Sequence, residues 1–157
     1  MIRAKAAPLA ARLAALATIF FAFFATQAHS AIRIERIVSP AGIEAWLVRE
    51  PSVPLIAMDF AFLGGANADP AERPGVGNML ASLLDEGAGD LDSRAFQRQL
   101  QELAVQLSFS AGRDHFRGSL RTLTQNRDRA FELLKLALTS PRLDDGDAER
   151  IRSQLLS

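Results

Sequence analysis

The order of predicted elements indicates an α+β domain, with a mainly antiparallel sheet and helices packed on one face of it. Two observations predict this class. Strands come in runs, three and then two, and a pair of helices follows each run. Strand segments alternate apolar and polar residues, whereas helical segments repeat apolar residues at intervals of three and four. At 157 residues the chain has room for one domain.

The first 30 residues have the layout of a secretory signal peptide. A basic start precedes an apolar run from Leu13 to Ala25, and small residues suited to cleavage follow. The run has 13 residues, fewer than the roughly 20 that a membrane-spanning helix needs, although an uncleaved anchor is an alternative. We therefore expect a periplasmic or secreted domain over residues 31–157, without a stable membrane span after cleavage.

Composition excludes several kinds of site. The chain has no cysteine, so disulfides and thiolate metal sites are absent, and its histidines are His29 and His115. Three of the 18 basic residues lie in the leader and none of the 18 acidic ones does, which leaves 15 against 18, or −3. A mildly acidic domain argues against nucleic acid as a partner.

The first run of strands is predicted at 32–38, 43–49 and 55–63. A turn with Pro40 and Gly42 joins the first two into a hairpin. In the third strand, Asp59 lies on the face opposite the phenylalanines. It is either functional or solvated, and an unpaired buried carboxylate is costly, which favours the solvated position.

A glycine-rich loop then leads into a helix predicted from Gly75 to Glu86, which Gly87 ends. The spacing of the glycines fits neither phosphate-binding motif, and the lysine is missing. Asp92 or Ser93 is expected to cap a second helix.

The second run of strands is predicted at 105–110 and 116–122, with His115 on the polar face as a solvated residue rather than a metal ligand. Arg113, Arg117 and Arg121 have a period of four, which places all three on one strand face. That face is either solvated or in contact with a peptide carboxylate.

Two helices follow, one at 126–138 and one capped by Asp144 or Asp145. The last helix runs to the end of the chain without a stop residue, so we expect a domain truncated at its C-terminal end.

Several motifs, in order, resemble the N-terminal domain of the M16 peptidases, the family of insulinase and the mitochondrial processing peptidase. They are Phe-Leu-Gly-Gly ending a strand, Pro-Gly-Val-Gly before a helix, Gly-Ala-Gly-Asp-Leu-Asp-Ser after it, Val-Gln-Leu-Ser-Phe-Ser, and Arg-Gly-Ser-Leu-Arg-Thr-Leu-Thr. The likeness covers roughly residues 32 to 157 and implies an M16 peptidase-like half domain.

In active members of that family the helix after the glycines carries His-x-x-Glu-His, which supplies two zinc ligands and a general base. The resemblance places Asn78 and Ser82 at the two histidines and Ala81 at the glutamate. It therefore implies no catalytic residues, no metal ligands and no cofactor in this chain.

The resemblance implies a non-catalytic subunit that pairs with an M16 homologue carrying His-x-x-Glu-His and zinc, and that helps to form a chamber for peptide substrates. Two alternatives remain open. One is a zinc-dependent metalloendopeptidase with displaced ligands among Asp85, Glu86 and His115. On a helix, however, the adjacent Asp85 and Glu86 would point about 100° apart, which is unsuited to chelation. The other alternative is an unrelated periplasmic α+β binding domain.

Overall fold

The structure is a computed structural model that describes residues 33–157, so the predicted signal peptide lies outside the described residues. The chain divides into two units, one ending at Glu50 and one running from Pro51 to Ser157. Among residues 33–157, no helix has the length and apolar character needed to cross a bilayer.

The first unit contains the predicted antiparallel hairpin. Strand β1 (Ile34–Val38) pairs with β2 (Glu44–Val48), so that Ile34 lies opposite Val48. The turn between them is closed by Gly42, whose φ of 83° is accessible to glycine at little cost. An ion pair between Arg36 and Glu44 joins the strands, with Nε donating to Oε1 at 2.7 Å.

The second unit has the predicted α+β architecture. Its sheet has the strand order β3-β5-β4, and both pairings are antiparallel. The elements in chain order are β3 (Leu55–Leu63), α1 (Val76–Leu83), α2 (Ser93–Glu102), β4 (Gln106–Ala111), β5 (His115–Leu123), α3 (Arg127–Thr139) and α4 (Asp145–Leu155). Two short 3₁₀ turns, Gly65–Ala68 and Thr124–Asn126, precede α1 and α3.

The core lies between one face of this sheet and the helices. Its fully buried centre combines Leu120 of β5 with Phe96 of α2 and Leu133 of α3. Alternate residues of the strands point to this side because the side-chain period of a strand is two. The fold class predicted from the sequence is confirmed, with the helices of this unit on one face of its sheet. No described element of the unit covers the other face, which we call the open face.

Gly118 leaves room for two phenylalanine rings to meet on the core side of β5. A Cβ at this position would lie 2.2 Å from the ring of Phe60, which covers the glycine from the neighbouring strand. Phe60 in turn makes an edge-on contact with Phe109 of β4, at 6.5 Å between ring centroids. Rings from β3 and β4 therefore meet across β5 only because the central position has no side chain.

Three details correct the sequence prediction. Helix α1 ends at Leu83 rather than at Glu86, because the Glu86 amide bonds to the carbonyl of Leu83 in a tight turn. Arg113 lies in the turn before β5, so it does not share a strand face with Arg117 and Arg121.

The third correction concerns the cap of α4, whereas at α2 one of the two predicted caps, Asp92, is confirmed. Asp92 caps α2, its carboxylate accepting from the Ala95 amide at 2.8 Å, and Ser93 is the first helical residue. Asp144 occupies the cap position of α4, but its carboxylate accepts from Arg142 instead of from a helix amide.

Candidate functional site

The approach to α1 is fixed by hydrogen bonds to the β4–β5 turn. The amides of Gly64, Ala66 and Asn67 donate to the carbonyls of Asp114, Gly112 and Arg113, each at 2.9 Å. At Gly65 a Cβ would lie 2.3 Å from the Gly112 carbonyl oxygen, so the loop approaches the turn more closely than any side chain permits.

Asp69 closes the start of α1. Its two carboxylate oxygens accept from the amides of Gly75, at 2.7 Å, and Gly77, at 2.8 Å. Gly75, the residue before the helix, has no side chain with which to cap it, so a carboxylate six residues upstream satisfies the first free amides. Gly77 is also close-packed, since a Cβ there would lie 3.3 Å from both Ala111 and Asp69.

The three motif positions on α1 have different surroundings. Asn78 is exposed, Ala81 is 6% exposed within the packed interior, and Ser82 is half-buried. The Ser82 hydroxyl donates to the carbonyl of Asn78 one turn earlier, at 3.0 Å. The arrangement therefore brings together one solvated amide, one packed methyl group and one hydroxyl bonded to its own helix.

These residues do not fit a zinc ion. Imidazole and carboxylate groups are the usual ligands of catalytic zinc, and neither Asn78 nor Ser82 supplies one. Ala81 has no group that could take a proton from a bound water. Within the described part of the chain, no group of three His, Asp or Glu residues is placed to hold a metal.

The residues considered as displaced ligands are engaged differently. Asp85 and Glu86 lie beyond the end of α1, so the expectation that they occupy adjacent helical positions is wrong. Glu86 pairs with Arg150 of α4 at 2.6 Å and accepts from the Ser93 hydroxyl at 2.7 Å. His115 is half-buried at the start of β5, opposite Leu63, and does not form a metal-binding group with them.

The two carboxyl groups have pKa values shifted in opposite directions. Burial raises the pKa of Asp85 above its ordinary value, because the charged form loses hydration. Burial also acts to raise the pKa of Glu86, but hydrogen bonds from Arg150 and Ser93 outweigh it, and the net pKa is lowered. Glu86 is therefore a structural anion that ties α4 to the turn after α1.

A groove of about 850 Å³ lies beside α1, between that helix and α4. Apolar side chains dominate its lining, which also includes Asn78. The apolar residues include Val76, Met79, Leu80, Leu143, Leu155 and Leu156. The surface next to the motif positions thus suits apolar contact rather than metal chemistry.

A second concave surface lies on the open face of the sheet. A depression of about 440 Å³ there is lined by Asp59, Arg117 and several serines of β4 and β5. Asp59 is exposed, as the preferred sequence interpretation holds. The hydroxyls of Ser108 and Ser119 share a hydrogen bond of 2.8 Å across the two strands.

Sequence reasoning found the helix and the three motif positions but missed Asp69, and it considered Glu86 as a metal ligand rather than as the partner of Arg150. Asp69 precedes a proline in a loop, where an acidic residue has many ordinary uses. One indication was available in the sequence: no side chain just before α1 can cap the helix. The first free amides of α1 therefore need an acceptor from elsewhere in the chain.

Comparison with known proteins agrees with this geometry. No family model matches the chain. A Helicobacter pylori protein described as the non-peptidase homologue YmxG is 26% identical over 105 residues, covering 67% of this chain and 24% of its own length.

Two solved structures are similar in fold. One is a peptidase M16 inactive domain from Pseudomonas fluorescens, with a TM-score of 0.74 and 23% identity, covering 80% of this chain and 31% of that one. The other is a protease from Helicobacter pylori, with a TM-score of 0.63 and 19% identity, covering 74% and 28%. This chain spans about a quarter to a third of the length of these relatives.

The described residues therefore have an M16-type fold, and the resemblance predicted from the sequence, to an M16-like domain lacking the zinc motif, is confirmed. An inactive domain and a non-peptidase homologue are among the proteins it is similar to, which supports a non-catalytic M16-like protein. The same likeness argues against an unrelated α+β domain.

Proposed function

We propose that this chain is a non-catalytic M16-type subunit, which pairs with a homologue carrying His-x-x-Glu-His and helps to enclose a chamber for peptide substrates. One observation carries the proposal: an M16-type fold surrounds a helix whose motif positions are Asn78, Ala81 and Ser82. The fold is present while the zinc ligands and the general base are missing, which favours a role in shape and contact rather than in hydrolysis.

The groove beside α1 supports a role in contact. Its walls include Leu143, Leu155 and Leu156, which are 44%, 52% and 78% exposed in this chain. A contiguous patch of exposed apolar side chains often marks an interaction surface, whereas single exposed apolar residues are common on any protein. In such a pair the zinc would belong to the partner, and the predicted signal peptide supports an encounter in the periplasm or outside the cell.

Co-purification tests this proposal. The chain, tagged at one end, is co-expressed with an M16 homologue from the same genome that carries His-x-x-Glu-His, and the two are separated by size exclusion after affinity capture. We expect a complex with one zinc per pair and a peptidase activity that the partner alone does not reach. A charge substitution in the groove, Leu155→Glu, should weaken the complex, whereas Leu63→Glu, at an exposed strand end, should not.

Two results would contradict the proposal. In the first, the chain fails to associate with every zinc-motif homologue of its genome. In the second, the chain alone binds about one zinc and cleaves peptides, which would favour the displaced-ligand peptidase.

A further inference from the structure

The open face of the sheet carries a regular pattern of charge. On the central strand, Arg117, Ser119 and Arg121 point away from the helices, since the alternate residues Leu120 and Thr122 are buried on the other side. The register places small or uncharged residues beside both arginines. These flanking residues are Ala57 and Ala61 on β3 and Gln106 and Ser110 on β4.

Asp59 supplies the negative charge between the two positive ones. It lies directly opposite Ser119, which is midway between Arg117 and Arg121. Read along β5, the face is therefore positive, negative and positive at steps of two residues. Because the rise of a strand is about 3.3 Å per residue, the two arginine Cα atoms lie about 13 Å apart.

These three charges have no partner within the described part of the chain. Asp59, Arg117 and Arg121 are exposed, and none of them forms an ion pair or side-chain hydrogen bond with another described residue. The neighbouring hydroxyls of Ser108 and Ser119 bond to each other instead. The small flanking side chains leave the charged groups accessible from above, beside a depression of about 440 Å³.

An extended peptide matches this spacing. Its side chains also alternate with a period of two and its rise is the same as that of the strand beneath it. A peptide lying along β5 therefore places residues i, i+2 and i+4 above Arg117, Asp59 and Arg121. The complementary order is acidic, basic and acidic, and it is the same in both chain directions.

We infer that the open face binds an extended peptide segment with acidic, basic and acidic side chains at alternate positions. The inference rests on the proposed function, because it names the class of peptide that the chamber-forming subunit receives. A polyanion such as nucleic acid fits less well, since Asp59 would repel it at the centre of the row.

Fluorescence anisotropy tests the inference with two labelled peptides of identical composition. One contains Glu-Ser-Lys-Ser-Glu, and the other contains the same residues with the three charges adjacent. We expect the patterned peptide to bind the purified chain about tenfold more tightly, with an affinity that falls as salt screens the exposed charges. Equal binding of the two peptides, or binding of neither, would overturn the inference.

Charge reversal identifies the face. The double variant Arg117→Glu and Arg121→Glu should lose the preference for the patterned peptide. The matched control, Arg94→Glu and Arg98→Glu, changes the net charge equally on exposed positions of α2 and should retain it. Adding Asp59→Lys to the double variant should transfer the preference to a peptide containing Lys-Ser-Glu-Ser-Lys.

The outcomes separate this inference from the proposed function. If the chain co-purifies with its zinc-motif partner but shows no peptide preference, the charge pattern is a solvated surface and only the inference fails. If the preference and its reversal are found without any partner, the peptide site stands and the pairing fails. A loss of preference in the α2 control would also contradict the inference.

Discussion

The loop that leads into α1 and the motif face of α1 lie within a few residues of each other, and they are constrained very differently. The loop is fixed by close backbone contacts at Gly65 and by the two hydrogen bonds from Asp69. The motif positions make no comparable contacts: Asn78 is solvated, and the hydroxyl of Ser82 bonds to its own helix. The difference indicates that the domain preserves the position of the helix and not its chemistry.

The largest effect is expected from Gly65→Ala. The new methyl group would lie 2.3 Å from a backbone oxygen, at a φ of 74°. Because the clash is with backbone and not with a flexible side chain, a small shift does not relieve it. We expect a loss of about 4 kcal/mol in the free energy of unfolding, measured by urea denaturation.

Gly75→Ala is the matched control for that change, because its φ of 94° is similar but nothing lies within 4 Å. It should cost about 1–2 kcal/mol. If the two variants lose the same stability, the close approach of the loop to the β4–β5 turn does not constrain α1.

The next effect concerns restoring the motif. Ala81→Glu places a carboxylate at a position that is only 6% exposed, where its charged form loses most of its hydration. We expect a loss of about 3 kcal/mol, again from urea denaturation. Asn78→His, on the exposed side of the same helix, should change stability by less than about 0.5 kcal/mol.

If Ala81→Glu were tolerated as well as Asn78→His, the helix would still have room for the general base of an active M16 peptidase. The motif positions would then differ from those of active M16 peptidases by sequence alone, and the contrast with the loop would lose its structural basis.

Removing the cap of α1 is expected to have a smaller effect. Asp69→Ala deletes two charge-assisted hydrogen bonds to the Gly75 and Gly77 amides, which should cost about 2 kcal/mol. Asp69→Asn retains one acceptor oxygen, so its stability should lie between that of the unaltered chain and that of Asp69→Ala. Hydrogen exchange at Gly77 and the following amides would show whether the loss is local to the start of α1.

The smallest effect is a change in pH dependence. Since the folded-state pKa of Glu86 is lowered, its contribution is present above the ordinary value of 4.5 and is lost as the pH falls through the folded-state value. Glu86→Gln should therefore flatten the acid side of the stability profile, measured by urea denaturation between about pH 6 and 3.

The pKa shift of Asp85 has the opposite sign to that of Glu86. Its raised pKa means that the folded state favours the protonated carboxyl group, so ionisation near neutral pH weakens the fold. Asp85→Asn should therefore stabilise the chain slightly at pH 7.

For Glu86→Gln, a stability profile that falls more steeply toward acid pH would contradict the role assigned to the contact between Glu86 and Arg150.

Much of the fold could be predicted because it depends on local periodicity. The alternation of Met58 and Phe60, and the apolar spacing of Phe96 and Leu100, identify a strand and a helix without knowledge of their neighbours. The end of α1 could not be predicted, because Asp85 and Glu86 are both compatible with a helix, and the pairing of Glu86 with Arg150 in the turn after α1 joins residues far apart in sequence.

The candidate surfaces were predictable only in part. The resemblance located Asn78, Ala81 and Ser82, but which of them is packed depends on how α1 lies against the sheet. Likewise, the sequence pattern places Arg117 and Arg121 on one face, yet the position of Asp59 between them follows from the register of β3 with β5. Register is set by long-range pairing, which a local pattern does not specify.

The central claim, that this domain keeps the M16-type helix without its chemistry, is tested most directly by its metal content. The purified chain would be equilibrated with excess zinc, passed through a desalting column and analysed by elemental mass spectrometry. The account predicts far less than one zinc per chain, with no change in Glu86→Gln or His115→Ala. About one tightly bound zinc per chain, lost in either variant, would contradict it.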